Sequence, residues 1–114
     1  MSTVYTVAFS GREFLMVFNP KRHGWEMPGG KIEENEDTAD AAVREYLEES
    51  GYSIKIVSIK EAGGCYVCAA VLGKKISDGE LEPKLFTELP DELAFERSEY
   101  VGVIEWAASV IKDI

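Results

Sequence analysis

Basic residues are scarce in this chain of 114: 12 Lys and Arg stand against 21 Asp and Glu, with a single histidine, giving a net charge of −9. Phosphate backbones are bound by clustered Lys and Arg, so this balance argues against duplex nucleic acid as the main partner. A phosphate-bearing substrate would need a metal bridge. Cysteine is equally sparse. Cys65 and Cys68 have C-x-x-C spacing without a second pair, and His23 lies far from them, which removes the usual zinc frameworks. Residues three apart on a strand point to opposite faces, so both are expected as buried strand positions in a reducing compartment. No apolar run approaches the roughly 20 residues of a membrane span; the longest runs from Cys65 to Leu72. The N-terminus also lacks a basic region followed by an apolar stretch. The expected protein is soluble and cytoplasmic, without a membrane partner.

What is present is the composition of a folded chain, 46% hydrophobic and 11% aromatic, with no repeat, linker or low-complexity tract. Its length suits one domain spanning residues 1–114. Thr3 to Phe9 and Glu13 to Phe18, separated by Ser10-Gly11-Arg12, are rich in β-branched and aromatic residues and predict a hairpin. A polar loop from Asn19 to Gly24 follows, then a short extended segment, Trp25 to Gly30, ended by Pro28 and two glycines. A helix is expected from Asp37 or Thr38, either of which could cap it, to Gly51. Ser53 to Ile59 alternates as a half-buried strand does, whereas Cys65 to Leu72 is apolar throughout and fits a strand covered on both faces. Glu80 to Phe86 is a further strand, with Pro83 pointing to an edge or bulge. A last helix runs from about Ser98, its cap, to Lys112, with Tyr100, Ile104, Ala107, Ala108 and Ile111 at helical spacing. The fold class is α/β of the α+β kind, a sheet flanked by helices.

The first helix carries the chemistry. Glu45, Glu48 and Glu49 fall within one turn, where each like-charge pair costs roughly 0.2–0.5 kcal/mol, and they stand at the helix end that favours cations. A cluster unfavourable on both counts invites a bound cation. Helical periodicity puts Ala39, Val43, Tyr46 and Leu47 toward the core and Ala41, Glu45, Glu48 and Glu49 outward.

The 23-residue pattern that contains these acids runs from Gly30 through Glu36 to Arg44-Glu45-Tyr46-Leu47-Glu48-Glu49-Ser50-Gly51-Tyr52. It resembles the Nudix box, the signature of hydrolases that cleave nucleoside diphosphates linked to another moiety. All seven of the box's fixed polar or glycine positions match, while two of its aliphatic positions hold Tyr46 and Tyr52. The resemblance implies an α/β/α sandwich with a mixed β-sheet between helices. It also implies that Glu45, Glu48, Glu49 and the Gly30 carbonyl hold Mg²⁺ or Mn²⁺. Arg44 would orient carboxylates, and Glu36 would steady the loop or reach a metal through water. Hard divalent cations suit oxygen donors and activate water against a phosphate chain. The general base is open between Glu48, Glu49 and a downstream glutamate, Glu80, Glu82 or Glu88. With Arg44, the pair Glu48 and Glu49 forms the catalytic set.

Trp25-Glu26-Met27-Pro28-Gly29-Gly30-Lys31-Ile32-Glu33 is similar to the segment of MutT-type members, which convert oxidised purine nucleoside triphosphates to monophosphates. Leu85 to Pro90 resembles the segment before the last helix of many Nudix domains. The mutator branch reads the base with an Asn near that helix, but the two asparagines here, Asn19 and Asn35, lie elsewhere. Val67 and Ala70 stand where markers of ADP-ribose and dinucleoside polyphosphate hydrolases are absent. The resemblance therefore implies Mg²⁺-dependent hydrolysis of a nucleoside triphosphate, normal or oxidised, to a monophosphate and pyrophosphate. Alternatives are another nucleotide-linked diphosphate such as ADP-ribose, a dinucleoside polyphosphate or an RNA 5′ end, or a non-catalytic nucleotide-binding domain. Trp25 and Phe86 could stack on a base or simply pack. Lys31, like Lys21 and Arg22, could reach phosphate or stay solvated. The oligomeric state is open, a homodimer included.

Overall fold

Alternation in the first strand sets the layers. In β1 (Thr3–Ser10), Val7 and Phe9 point to one side of a sheet and Val4 and Ala8 to the other, all of them buried. The computed structural model describes residues 2–111. It continues with β2 (Glu13–Asn19), β3 (Gly24–Glu26), β4 (Gly29–Lys31), α1 (Thr38–Ser50), β5 (Tyr52–Ala62), β6 (Cys65–Lys75), β7 (Glu82–Phe86) and α2 (Arg97–Ile111). The strands form one mixed sheet in the order β3-β2-β1-β6-β5, with β4 paired to β1 and β7 to β2. Only β1 and β6 run parallel among these pairs.

Each helix covers one face, giving the expected α/β/α sandwich. Tyr100 and Ala107 of α2 pack with Val7, Phe9, Met16 and Ala69. On the opposite face Ala41 and Ala42 of α1 pack with Val4 and Cys68, and Tyr46 with Ala8, Leu15 and Ala70. The hairpin of β1 and β2 turns at Gly11, whose φ of 61° favours a residue without Cβ. β6 lies between β1 and β5, with Val67 to Ala70 fully covered, as a continuous apolar run requires. Cys68 is buried and Cys65 half-buried, and both are free thiols.

Several expectations change. Val43, expected in the core, is 38% exposed, and Ala41, expected outward, is wholly buried. The buried positions of α1 are Ala41, Ala42, Tyr46 and Ser50, so Glu45 and Glu49 lie on the sheet-facing side and are half-buried rather than turned to solvent. The cause is room: β4 offers Gly29 and Gly30 opposite these acids. A Cβ on Gly30 would run into the Glu45 carboxylate, and one on Gly29 into the Val4 carbonyl. The last helix begins at Arg97, so Ser98 lies inside it, and the Glu96 N–H is instead met by Glu99 Oε2 at 3.2 Å. Ala108 is exposed, and Val103 packs against the core instead. β7 starts at Glu82, and Pro83 sits opposite Val17. Lys112, the expected end of α2, lies outside the described residues.

The end of α1 is held by a neighbouring segment. Asp37 occupies the N-cap position without a side-chain cap bond, and Gly51 closes the helix at φ 81°, its N–H donating to Leu47 O at 2.8 Å. The carbonyls of Glu48 and Glu49 accept from the N–H groups of Glu80 (2.9 Å) and Leu81 (3.0 Å). Orphan carbonyls of the last turn are thus satisfied by the chain between β6 and β7. That contact carries Glu80 to the acidic end of α1.

Candidate functional site

Arg44 gathers the acids of α1. Its Nε and Nη2 donate to the two oxygens of Glu36 at 2.8 and 2.9 Å, a fork matched to a carboxylate. Nη1 donates to Glu45 Oε1 at 2.7 Å and to Glu48 Oε1 at 3.0 Å, and Nη2 reaches the Lys31 carbonyl at 3.0 Å. One guanidinium therefore joins the loop before the helix, the end of β4 and two helix acids. Glu36 also accepts from the Glu33 N–H at 3.0 Å. The Arg44 hydrogen bonds, helped by that backbone donor, hold the Glu36 carboxyl down at about 2. The same bonds to Glu36 and Glu45 raise the Arg44 pKa.

Glu49 is set apart from this knot. Its Oε1 accepts from the Gly29 N–H at 3.0 Å. Burial pushes its carboxyl up to about 7 despite that donor, and the nearby charges of Glu26, Glu45 and Glu80 push the same way. Of the three downstream glutamates, Glu80 is the one brought beside the acidic helix. Glu82 pairs with Phe18 across β7 and β2, and Glu88 lies exposed beyond β7.

The donor set suits a hard divalent cation. Three carboxylates lie within one turn of α1, Glu45 rests on Gly30 where any Cβ would collide with it, and Glu49 carries a pKa raised first by burial and then by the charges of Glu26, Glu45 and Glu80. Among the described residues, no three His, Cys, Asp or Glu side chains are drawn together into a ready cage. Arg44 Nη1 instead bridges Glu45 and Glu48.

Beside the acids lies a cavity of about 330 Å³, lined in part by Tyr5, Glu26, Met27, Gly29, Gly30 and Tyr100. Gly29 and Gly30 line this cavity and also border the α1 acids, the Gly29 N–H donating to Glu49 and Gly30 lying against the Glu45 carboxylate. Trp25 and Phe86 do not line it. They pack edge to face on each other at 5.0 Å, with Phe18 against Trp25 at 5.3 Å, in the cluster under α2. Lys31 is exposed and borders a shallow groove with Glu33, Glu34 and Glu45. Arg22, weighed as a phosphate contact, is tied to Glu26 at 3.1 Å and lies 5.1 Å over the Phe95 ring.

The residue that sequence reasoning missed is Glu26. It is only 7% exposed, and its Oε1 accepts from Arg22 Nη1 at 3.1 Å and Asn19 Nδ2 at 3.3 Å. A carboxylate between Trp25 and Met27, in an otherwise apolar stretch, was the available signal, since acids are almost never buried without partners.

Residues 1–94 match the NUDIX domain family. A Bacillus subtilis (strain 168) relative, named "Putative 8-oxo-dGTP diphosphatase YtkD", is 33% identical over 106 residues, covering 80% of this chain and 65% of its own length. The Nudix hydrolase YvcI of the same organism is 45% identical over 40 residues, which cover 35% of this chain and 25% of YvcI. This chain thus spans less than two thirds of either relative. The crystal structure of the Bacillus subtilis pyrophosphohydrolase BsRppH superposes with a TM-score of 0.68 at 26% identity, covering 97% of this chain and 80% of that one. A NUDIX-family hydrolase from Clostridium perfringens shares the fold at a TM-score of 0.74 and 17% identity, covering 96% and 97%. With the family match extending over most of the sequence and these acids arranged on α1, the chain belongs to the NUDIX family.

Proposed function

We propose that this protein is a Mg²⁺-dependent pyrophosphohydrolase that converts a purine nucleoside triphosphate, normal or oxidised, to the monophosphate and pyrophosphate. One observation carries the reading: the cavity and the acidic face of α1 meet at Gly29 and Gly30, so a base seated in the cavity would extend its phosphate chain over the acids. The names of YtkD and BsRppH, a triphosphate diphosphatase and a pyrophosphohydrolase, agree with this direction.

Glu45, Glu48, Glu49 and the Gly30 carbonyl would hold the cation. Bound there, Mg²⁺ supplies charge neutralisation for the phosphates and an acidified water. Arg44 keeps Glu45 and Glu48 on one side of the helix by hydrogen bonds to both. Glu49, half-buried, accepting from the Gly29 N–H and set beside Glu80, is the residue assigned as proton acceptor. Lys31, which borders a groove with Glu45, would meet an outer phosphate.

Purified protein with Mg²⁺ should be offered normal and oxidised nucleoside triphosphates, ADP-ribose, a sugar-linked diphosphate and a dinucleoside polyphosphate, and the products identified. Pyrophosphate and a monophosphate are expected. Failure to turn over any triphosphate, or release of orthophosphate alone, would refute the reading.

A further inference from the structure

We infer that Glu26, set by Arg22, reads the base of the substrate and selects guanine through its Watson–Crick edge. The inference rests on the hydrolase reading above for its substrate class, but its residues belong to the cavity and not to the acidic helix.

Glu26 is a buried carboxylate whose bonding capacity is half used. Both of its hydrogen bonds, from Arg22 and Asn19, fall on Oε1, and Oε2 has no partner among the described residues. An ionised carboxylate offers about four acceptor sites, and Oε2, unpartnered but not sealed from solvent as Thr6 Oγ1 and the Tyr46 hydroxyl are, is free to accept from a ligand. Anchoring the loop before β3 would account for Oε1 alone. Glu26 lines the cavity, so the idle oxygen belongs to a residue that a ligand there would touch.

The walls define the ligand's shape. Tyr5, Phe95, Tyr100, Met27 and Val4 present mainly aromatic and apolar surface around about 330 Å³, at the lower end of the roughly 300–1,000 Å³ of small-ligand sites. Phe95 is 47% exposed and carries the Arg22 guanidinium 5.1 Å over its ring. A planar heteroaromatic ring suits these walls.

The polar pattern chooses among bases. Arg22 donates and the free Oε2 of Glu26 accepts, with two lone pairs to offer, so the pair presents a donor beside an oxygen able to take two hydrogen bonds. The Watson–Crick edge of guanine presents the complement: O6 accepts, N1–H donates and the 2-amino group donates. Hypoxanthine lacks the third group. Adenine places a donor where O6 stands and an acceptor at N1, so it sets an acceptor against Glu26. The edge is the same in 8-oxo-guanine, which differs at C8 and N7, so this contact recognises guanine whether or not it is oxidised.

The test compares the Mg²⁺-loaded wild type with Glu26→Gln, an isosteric change that turns one of the two acceptor oxygens into an amide donor. In the wild type, kcat/KM for GTP should exceed that for ATP by roughly ten- to a hundredfold, the range of one bidentate base contact, with ITP between. In Glu26→Gln the ratio should fall toward one, mainly through KM, for GTP and 8-oxo-GTP alike. Calorimetry of GMP and AMP with wild-type protein keeps the test independent of catalysis and of the variant's folding, and GMP should bind more tightly. A wild type that prefers ATP or a pyrimidine triphosphate, equal binding of GMP and AMP, or a folded variant that keeps the guanine preference would overturn the inference. Hydrolysis without base preference would remove this inference alone, whereas guanine-selective binding without hydrolysis would remove only the proposed activity.

Discussion

Arg44 grips Glu36 through both oxygens, at 2.8 and 2.9 Å, across eight residues of sequence. The contact ties the loop that follows β4 to the middle of α1, and the remaining guanidinium nitrogen reaches Glu45 and Glu48. Structure and site arrangement therefore depend on the same side chain.

Replacing Arg44 with Lys should destabilise the protein by about 1–3 kcal/mol, because a point-charge ammonium cannot reproduce a fork that serves three acids and a carbonyl. Urea unfolding of the two proteins measures this. A lysine variant as stable as the parent would show that charge alone, and not the fork, holds the loop.

The two glycines of β4 should fail in different ways. A methyl at position 30 meets the carboxylate of Glu45, the far end of a flexible side chain that can swing aside, so Gly30→Ala should fold with nearly unchanged stability and lose activity. A methyl at position 29 meets the Val4 carbonyl and the Tyr5 backbone, which cannot move without breaking the β1–β4 pairing. Gly29→Ala should lose several kcal/mol, about 2–4, as overpacking against backbone does. Thermal melts beside a turnover assay separate the two, and the prediction fails if both variants show the same pattern.

Changing Glu48 and Glu49 together to Gln should reduce turnover by roughly 10²–10⁴-fold, the scale of lost acid–base and charge contributions. Mg²⁺ should raise the melting temperature of the parent, since a ligand that binds only the folded state stabilises it. The double variant should show little of that rise. An equal Mg²⁺-induced shift in both proteins would place the cation elsewhere.

Stability of the metal-free protein should follow pH in two opposing ways. Glu36, lowered from 4.5 to about 2 by Arg44, contributes stability that is present above its unfolded value and lost as pH falls from 4.5 toward 2. Glu49, raised from 4.5 to about 7 by burial, favours folding while protonated; that contribution is intact below 4.5 and lost as pH rises from 4.5 through 7. Glu36→Gln should flatten the acid side of the profile and Glu49→Gln the neutral side. Urea titrations in EDTA from about pH 3 to pH 8 provide the measurement, and a Glu49→Gln protein that still loses the same stability between 4.5 and 7 would contradict the assignment.

Much of this was legible in the sequence because it is local. The acids of α1 are spaced for one turn, Gly51 ends that helix in the left-handed conformation, and the apolar run through Val67 to Ala70 becomes a strand covered on both sides. Periods of 3.6 and 2 follow from backbone geometry, so the residues that share a helix turn or a strand face can be counted off the chain. Capping by glycine is likewise a property of neighbouring residues.

Which side of α1 faces the sheet is another matter. Periodicity alone put Val43 inside and Ala41 outside with the acids, but the helix presents Ala41, Ala42 and Tyr46 to the sheet and sets Glu45 and Glu49 over the glycines of β4. Small alanines allow close approach to Val4 and Cys68, and only positions without a Cβ leave space for carboxylates there. The sequence by itself determined the helix, its acids and their spacing. Tertiary structure decided the rest: the half-burial that shifts Glu49, the arrival of Glu80 at the helix end, and the placing of Glu26 in a cavity with Arg22. These depend on distances between segments far apart in the chain, and no local period encodes them.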